Sequence, residues 1–392
     1  MTDMVGLTWE LSSVTGWGVY GLNVARHLLQ RGAPQPVLLK QPAMLDLEPD
    51  LDSLLRPLLK QQQELYAALT TDGPPKPMEM DFPVFQTVLP EFQPMVGARY
   101  FYGSPDIAIL FFEDTRISAE GLERAKRYPR VVAGSTWNHE ILDSWGVEGV
   151  RTVLQGVDTR RFRPPDLPHQ RGERFTIFSG GKLEHRKGQD IVLAAFRLFR
   201  QRHPEAVLLT CWQNPWPEKA ADISRSGLVT GAPANREGRL DIESWTQDQG
   251  LPAGSVVDLG LVPNHRLPEI LHKCDCAAFA SRYESGTNLP AMESMACGLP
   301  VVLSANTGHL DLVDPKHCYP LTRQTPVPPP QPGVGNEGWG ASSPAEIDEA
   351  LEAIYQQPDE ARAKGEAAAE FLQTLSWDHQ VERLLEVLDE VS

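Results

Sequence analysis

The chain has 392 residues, which is enough for two domains of ordinary size and a sizeable core. Its 36 Lys and Arg residues against 52 Asp and Glu residues give a formal net charge of −16, which argues against a general nucleic-acid binder. No apolar run reaches the roughly 18 residues of a membrane-spanning helix, and residues 1–4 lack the features of a secretion signal. Because the five Cys residues show no paired metal-ligand spacing, Cys274 and Cys276 are predicted to be buried thiols.

The first part of the chain alternates strand-like and helical patterns, which is typical of parallel βαβ construction. The predicted elements are a strand at 5–11, a helix ending at Gly32, a fully buried strand at 107–112, a strand at 131–133 and a helix at 135–145. We predict that they form an N-terminal Rossmann-like domain over residues 1–165.

A proline-rich, polar stretch at 163–172 predicts an interdomain linker. A second alternating series follows, with a strand at 175–178, a helix from Ile191 to Phe199, strands at 207–210, 256–259, 276–280 and 301–303, a loop at about 326–340, and three helices, the last at 377–388. We predict a second Rossmann-like domain at 174–375 and a final segment, 376–392, that packs back on the first domain. Ligands of such sheets bind beyond the carboxyl ends of the strands, so we expect a binding crevice between the domains.

A glycine loop at 12–21 lies between the first predicted strand and helix. Gly16 and Gly18 allow close approach of the backbone to a ligand, and the helix start offers free N–H groups for a phosphate. A plain tight turn explains the same glycines, so the loop is a weak candidate by itself.

A second loop, at 179–188, also lies between a strand and a helix. It combines a glycine turn with three cations, a pattern that favours phosphate binding over a solvated basic turn in an acidic protein. We predict contacts from Gly181, Lys182, Arg186 and Lys187 and expect His185 to be exposed.

The third candidate region follows the strand at 276–280 and contains two carboxylates, Glu284 and Glu293. A helix is predicted to start near Leu289 with Glu293 in its first turn, where a carboxylate can accept two hydrogen bonds from a ribose. A favourable charge at a helix start, worth about 0.3–1 kcal/mol, is the alternative explanation. The free N–H groups before the helix can hold a diphosphate or a sugar hydroxyl, and they belong to Gly286, Thr287, Asn288 and Leu289.

Taken in chain order, these stretches resemble family 4 of the GT-B glycosyltransferases. The matching regions are 135–138, 153–162, 182–188, 260–267, 284–302 and Thr307-Gly308. The resemblance is strongest over 175–312. It implies an α/β protein of GT-B fold, with two Rossmann-like, doubly wound parallel-sheet domains that face each other across a cleft.

The resemblance further implies a hexosyltransferase-type enzyme that uses a nucleotide-sugar donor, UDP- or GDP-linked, and retains the anomeric configuration. The donor lies on the C-terminal domain, and a hydroxyl of a glycan, lipid-linked or other acceptor lies on the N-terminal one. Lys182 stands where the family usually has Arg and Lys187 matches its Lys, so both are expected to contact the diphosphate. Gly16 and Gly18 are expected to approach the phosphates from the other domain.

Glu284 matches the family's first acid, which lies along the sugar, and Glu293 matches the second, which binds the ribose. We therefore predict Glu284, Lys187 and Lys182 as catalytic residues, and Val262 beside the nucleotide base. Two departures stand out. Eight residues separate the two acids where the family has seven, and Glu113 with its neighbours occupies a place where family members often carry a His.

The expected chemistry is departure of a nucleoside diphosphate, whose growing negative charge is stabilised by fixed cations and N–H dipoles. No carboxylate set with metal-ligand spacing is evident, so we predict no metal and no cofactor beyond the donor substrate. The alternatives are a catalytically silent glycan- or partner-binding protein, a nucleotide-sugar epimerase and an inverting transferase.

We expect a cytoplasmic protein that takes part in polysaccharide biosynthesis, with peripheral membrane contact as an open possibility. A basic cluster at residues 124–130 permits such contact, although a solvated helix face explains it more simply.

Overall fold

A computed structural model of the protein describes residues 3–70, 76–167, 169 and 171–391. The chain forms two α/β domains, and Pro168 and Gln170 of the predicted linker lie outside the described residues. The N-terminal elements are β1 Met4–Leu7, α1 Gly16–Arg31, β2 Gln35–Leu38, α2 Pro49–Thr70, β3 Met78–Glu79, β4 Val84–Leu89, β5 Gln93–Pro94, β6 Phe101–Tyr102, β7 Asp106–Leu110, α3 Ala119–Ala125, β8 Arg130–Ala133, α4 Thr136–Ser144 and β9 Val150–Thr152.

The C-terminal part contains ten further strands and seven helices in the described residues. They are β10 Phe175–Gly180, α5 Gln189–Arg202, β11 Ala206–Cys211, β12 Asn235–Arg236, β13 Arg239–Leu240, α6 Ile242–Asp248, β14 Val256–Asp258, α7 Leu267–Leu271, β15 Cys276–Phe279, α8 Leu289–Ala296, β16 Val301–Ser304, β17 Tyr319–Leu321, β18 Gln324–Pro326, β19 Gly340–Ser342, α9 Pro344–Gln356, α10 Pro358–Gln373 and α11 Trp377–Asp389.

Both domains are built on a doubly wound parallel sheet. The N-terminal order is β2-β1-β4-β7-β8-β9, with β5 antiparallel to β4, and the C-terminal order is β14-β11-β10-β15-β16-β17. In each sheet the chain first moves outward from a central strand, then returns beside it and continues in the opposite direction. The switch points lie beside β1 and β10, where α/β sheets of this kind hold ligands.

Local sequence signals account for most of these elements. Thr15 caps α1 by accepting a hydrogen bond from the Gly18 amide at 3.2 Å, and Gly32, with a φ of 90°, ends the helix as predicted. Cys274 and Cys276 are buried free thiols, which confirms that prediction. The buried strand predicted at 107–112 ends earlier, at Leu110, and leaves Phe111 partly exposed.

The final helix, α11, packs on the N-terminal domain. Val157 and Ser376 form a parallel bridge, and the Trp377 amide donates to the Val157 carbonyl at 3.1 Å. Farther along the helix, Glu390 accepts a hydrogen bond from Arg130 at 2.6 Å. One apolar cluster joins Trp377 and other side chains of this helix to the strands of the N-terminal sheet. Residues 376–391 therefore complete the N-terminal domain.

The loop between β18 and β19, predicted as a long connection, reaches across to the N-terminal domain. The Gly335 amide donates to Asp114 Oδ1 at 2.6 Å, and Trp339 Nε1 donates to the Glu113 carbonyl at 3.1 Å. The Trp339 ring stacks on Tyr283 with centroids 3.7 Å apart. In the described part of the chain, no helix has the length and apolar character needed to cross a bilayer.

Candidate active site

A cleft of about 300 Å³ lies between the two domains, beyond the carboxyl ends of β7, β10 and β11. Its N-terminal wall consists of Val14, Thr15, Gly16, Trp17, Tyr20, Phe111, Glu113 and Gln155. Its C-terminal wall includes the three cations and the loop before α8, with Gly181, Lys182, Arg186, Lys187, Gly260, Leu261, Val262, Glu284, Ser285, Gly286, Asn288 and Leu289.

The turn after β10 presents the three cations. Gly181 has a φ of +108°, a conformation that favours glycine, and the buried Gln189 side chain fixes the turn by donating to the carbonyls of Gly181 (3.1 Å) and Lys182 (2.8 Å). At Gly188 a Cβ atom would lie 1.9 Å from the Ala280 carbonyl oxygen, so only glycine fits where α5 begins. The sequence analysis did not identify Gln189 as a residue of the site, because its hydrogen-bond partners are backbone carbonyls.

Glu284 holds two of the cations. Lys187 Nζ lies 2.7 and 2.8 Å from its two carboxylate oxygens, and Arg186 Nη1 lies 3.0 Å away. Burial would raise the pKa of Glu284, but the charges of Lys187 and Arg186 outweigh this effect and lower the pKa to about 2. Glu284 is therefore ionised, and its side chain is only 4% exposed.

The third cation, Lys182, is more open. Its Nζ lies 3.3 Å from Glu184 Oε1 and 5.0 Å from the ring centroid of Trp216, and its side chain is 37% exposed. Glu184 also faces Arg186, at 3.2 Å. Each predicted phosphate-binding cation thus has a carboxylate beside it in the free protein.

The start of α8 adds backbone donors to the same wall. Within the described residues, no hydrogen bond is donated by the amides of 286–289, so these N–H groups remain available for an anion. Asn288 adopts a left-handed conformation (φ 65°) and its side chain donates to Glu284 at 3.3 Å and to His309 Nε2 at 3.0 Å.

His309, which the sequence analysis missed, supports this loop as a neutral side chain. Burial lowers its pKa to about 4, and the ring's other nitrogen bonds the Ser304 carbonyl at 3.1 Å. The two residues before it, Thr307 and Gly308, belong to a region that the sequence analysis matched to the family. Thr307 Oγ1 accepts a hydrogen bond from the Glu284 amide at 2.8 Å, and the Gly308 amide donates to the Glu284 carbonyl at 3.0 Å.

The N-terminal wall meets this network at Glu113. Its Oε1 lies 3.6 Å from Arg186 Nη1 and accepts a hydrogen bond from Ser285 Oγ at 3.2 Å. Glu113 therefore faces the cleft at the junction of the domains.

Comparison with known proteins places this geometry in context. The family model "Glycosyl transferases group 1" matches residues 165–322. A D-inositol 3-phosphate glycosyltransferase of Jonesia denitrificans is 28% identical over 174 residues, which is 42% of this chain and 37% of that protein. The matches span about a third to a half of the curated relatives' length, from 36% to 51%.

Several solved structures match nearly the whole chain. They include a sucrose-phosphate synthase from Thermosynechococcus elongatus (TM-score 0.66, 16% identity, covering 100% of this chain and 99% of that one) and Anabaena HepE in complex with UDP and glucose (TM-score 0.64, 15% identity, covering 99% and 100%). The chain has the GT-B fold, and its residues 165–322 match the group 1 glycosyltransferase family. The predicted fold class is confirmed.

Most of the predicted site residues line the cleft, but three do not. Gly18, on the opposite domain, packs against the backbone of Ser12 instead. Thr287 is buried, and its hydroxyl approaches Met292 Sδ at 2.9 Å. Glu293 lies in the second turn of α8, not the first, because it is the fifth residue of a helix that begins at Leu289.

Glu293 is 3% exposed and accepts a hydrogen bond from the Asn264 side chain. Burial raises its pKa to about 8, so the carboxyl is largely protonated at neutral pH. Asn264 bonds only the Oε1 atom of this carboxyl, so the predicted ribose contact would use Oε2.

The prediction that His185 is exposed was wrong. The residue is 6% exposed, its amide donates to Asp222 at 3.1 Å, and burial lowers the pKa of its imidazole to about 4. Its neighbours face the cleft, but the short helical turn 185–187 directs this side chain inward.

Within the described ranges, no three His, Cys, Asp or Glu side chains come together as a metal-binding group. Metal independence stays a prediction.

Proposed function

We propose that the protein transfers a sugar from a nucleotide-sugar donor to a hydroxyl of an acceptor, with retention of anomeric configuration and without a metal. The observation that carries the proposal is the convergence of Lys182, Arg186 and Lys187 with the free amides of Gly286, Asn288 and Leu289 on one interdomain cleft. HepE, a fold neighbour, has been solved with UDP and glucose, which supports a uridine nucleotide as the first donor to test.

The diphosphate would bind between the cations and the start of α8. Lys187 and Arg186 are held in place by Glu284, so they require little reorganisation when the anion arrives. Glu284 acts here as a positioning residue that also fixes Asn288. Gly16 approaches from the other domain: a Cβ atom at this position would lie 3.9 Å from Leu289.

The reaction breaks the bond between the anomeric carbon and the phosphate oxygen, and the acceptor oxygen forms the new bond on the same face. The acceptor's proton passes to the departing phosphate oxygen, which balances the charges of the step. Negative charge grows on the diphosphate in the transition state, where the fixed cations and N–H dipoles stabilise it most. Val262 beside the base, and Glu293 with Asn264 beside the ribose, would bind the nucleoside.

The cellular setting remains a prediction. Of the basic cluster at 124–130, Arg124 pairs with Glu91 at 3.2 Å, Lys126 with Glu123 at 2.5 Å and Arg130 with Glu390 at 2.6 Å. These pairs favour a solvated protein surface over a lipid-binding patch.

A thermal-shift panel of UDP, GDP, ADP and dTDP and their sugars tests the donor site. A ligand at about 100 times its dissociation constant should add about 2.7 kcal/mol to the free energy of unfolding. The same donors are then assayed for release of nucleoside diphosphate. Binding without release would favour the silent binding protein, and neither binding nor release with any donor would contradict the proposal.

A further inference from the structure

The N-terminal wall of the cleft is built from aromatic rings. Trp17 and Phe111 are partly exposed in the cleft, with ring centroids 4.9 Å apart and planes at 72°. Tyr20, Trp9 and Trp377 pack behind them, with the centroids of Trp9 and Trp377 each 5.1 Å from that of Tyr20. The pair therefore stands on a buried aromatic support and presents a preformed surface to the cleft.

Charge is distributed differently on the two walls. Among the described residues that line the cleft, every Lys and Arg belongs to the C-terminal wall, and the N-terminal wall has a single charged side chain, the carboxylate of Glu113. The three cations already face Glu184 and Glu284 and would be used further by the donor's diphosphate. A phosphate or carboxylate on the acceptor would thus meet a wall with no positive charge.

The wall also offers polar partners for hydroxyl groups. Gln155 borders the cleft. The Glu113 carboxylate is 33% exposed, so it can accept from a further donor.

Resting on the proposed function, we propose that the acceptor is an uncharged, hydroxyl-rich ring such as a neutral sugar or cyclitol. Its C–H face packs on Trp17 and Phe111, because C–H groups are attracted to the negative face of an aromatic ring. Glu113 accepts a hydrogen bond from an acceptor hydroxyl. The acceptor class therefore differs from the phosphorylated one in the name of the D-inositol 3-phosphate relatives.

The test compares matched acceptors that differ only in a phosphate: myo-inositol with inositol 3-phosphate, and glucose with glucose 6-phosphate. Binding is followed by tryptophan fluorescence in the presence of UDP, and turnover by nucleoside diphosphate release above the acceptor-free rate. We expect each neutral member to bind at least tenfold more tightly than its phosphorylated partner. Equal or tighter binding of the phosphorylated members would overturn the inference.

Two variants test the surface itself. Phe111→Ala should raise the neutral acceptor's KM about tenfold. Tyr102→Ala removes a 39% exposed aromatic ring of the N-terminal domain outside the cleft lining and serves as the control. An unchanged acceptor KM in Phe111→Ala would contradict this inference alone. If no donor gives release of nucleoside diphosphate, the proposed function is contradicted, and the fluorescence binding measurement still decides the acceptor class.

Discussion

The two walls of the cleft differ in the interactions that build them. The C-terminal wall is a network of charges, in which Lys187 Nζ and Arg186 Nη1 lie 2.7 and 3.0 Å from the carboxylate oxygens of Glu284. The N-terminal wall is made of rings and glycine backbone, with Trp17 and Phe111 in edge-to-face contact. This contrast agrees with the proposed function, in which the charged wall would stabilise a leaving group and the aromatic wall would orient an uncharged acceptor.

The largest effect is expected beneath the charged wall, at the Arg282–Asp190 pair. The guanidinium lies 2.8 and 2.6 Å from the two carboxylate oxygens, and both side chains are almost completely buried. Arg282→Met leaves a buried charge uncompensated and should lower the free energy of unfolding by about 3–5 kcal/mol. Urea denaturation measures it, with Arg236→Met, at a 73% exposed pair, as the control. Equal losses in both variants would mean that burial is irrelevant here.

On the same wall, Lys187→Ala should lower kcat for nucleoside diphosphate release by roughly 10²-fold or more, as loss of a preorganised charge contact does. Arg186 and Ser281 still hold Glu284, so the fold should persist. Lys60→Ala, on the 76% exposed surface of α2, is the matched control. Near-native turnover in Lys187→Ala would contradict its placement on the leaving group.

Glu293 should make the free energy of unfolding depend on pH. Its pKa is about 8 in the folded state and 4.5 ordinarily, so between these values the folded state keeps a proton that the unfolded state releases. Stability therefore falls as pH rises, by about 2 kcal/mol from pH 6 to pH 7.5. Glu293→Gln should remove this part of the slope in denaturation curves, whereas Glu366→Gln, at a 69% exposed side chain, should not. Identical slopes in all three proteins would refute the assignment.

The smallest effect is expected on the aromatic wall, where two glycines differ. A Cβ atom at Gly18 would lie 2.5 Å from the Ser12 amide nitrogen, so Gly18→Ala should cost about 1 kcal/mol or somewhat more. Gly16→Ala meets only Leu289, at 3.9 Å, and should stay within about 0.5 kcal/mol of the wild type. Equal melting temperatures for the two variants would show that the loop yields to the added methyl group.

The sequence predicted the alternation of strands and helices because buried parallel strands are continuous apolar runs. It missed β4, which lies at the centre of the N-terminal sheet, because Gln86 and Thr87 interrupt the apolar pattern. Both side chains are buried, and Thr87 Oγ1 bonds the Thr8 carbonyl at 3.1 Å. A partner 79 positions away is invisible to local periodicity.

The candidate site was predicted where glycines and charges are close in the sequence, as in the turn that carries Lys182 and Lys187. It was not predicted where function depends on contacts between distant segments. Glu293 was expected to be free for a ligand, but its neighbour Asn264 lies 29 positions earlier. Phe111 was expected to be fully buried, because the pattern cannot show that the strand ends one residue before it.

The position of α11 bears on how the protein is made. Trp377 and the residues after it are translated later than the intervening domain, yet they cover the sheet that precedes that domain in the chain. At about 5–20 residues per second, the intervening domain takes on the order of ten to forty seconds to translate. During that interval the nascent N-terminal domain exposes the apolar surface around Tyr20 that this helix later shields.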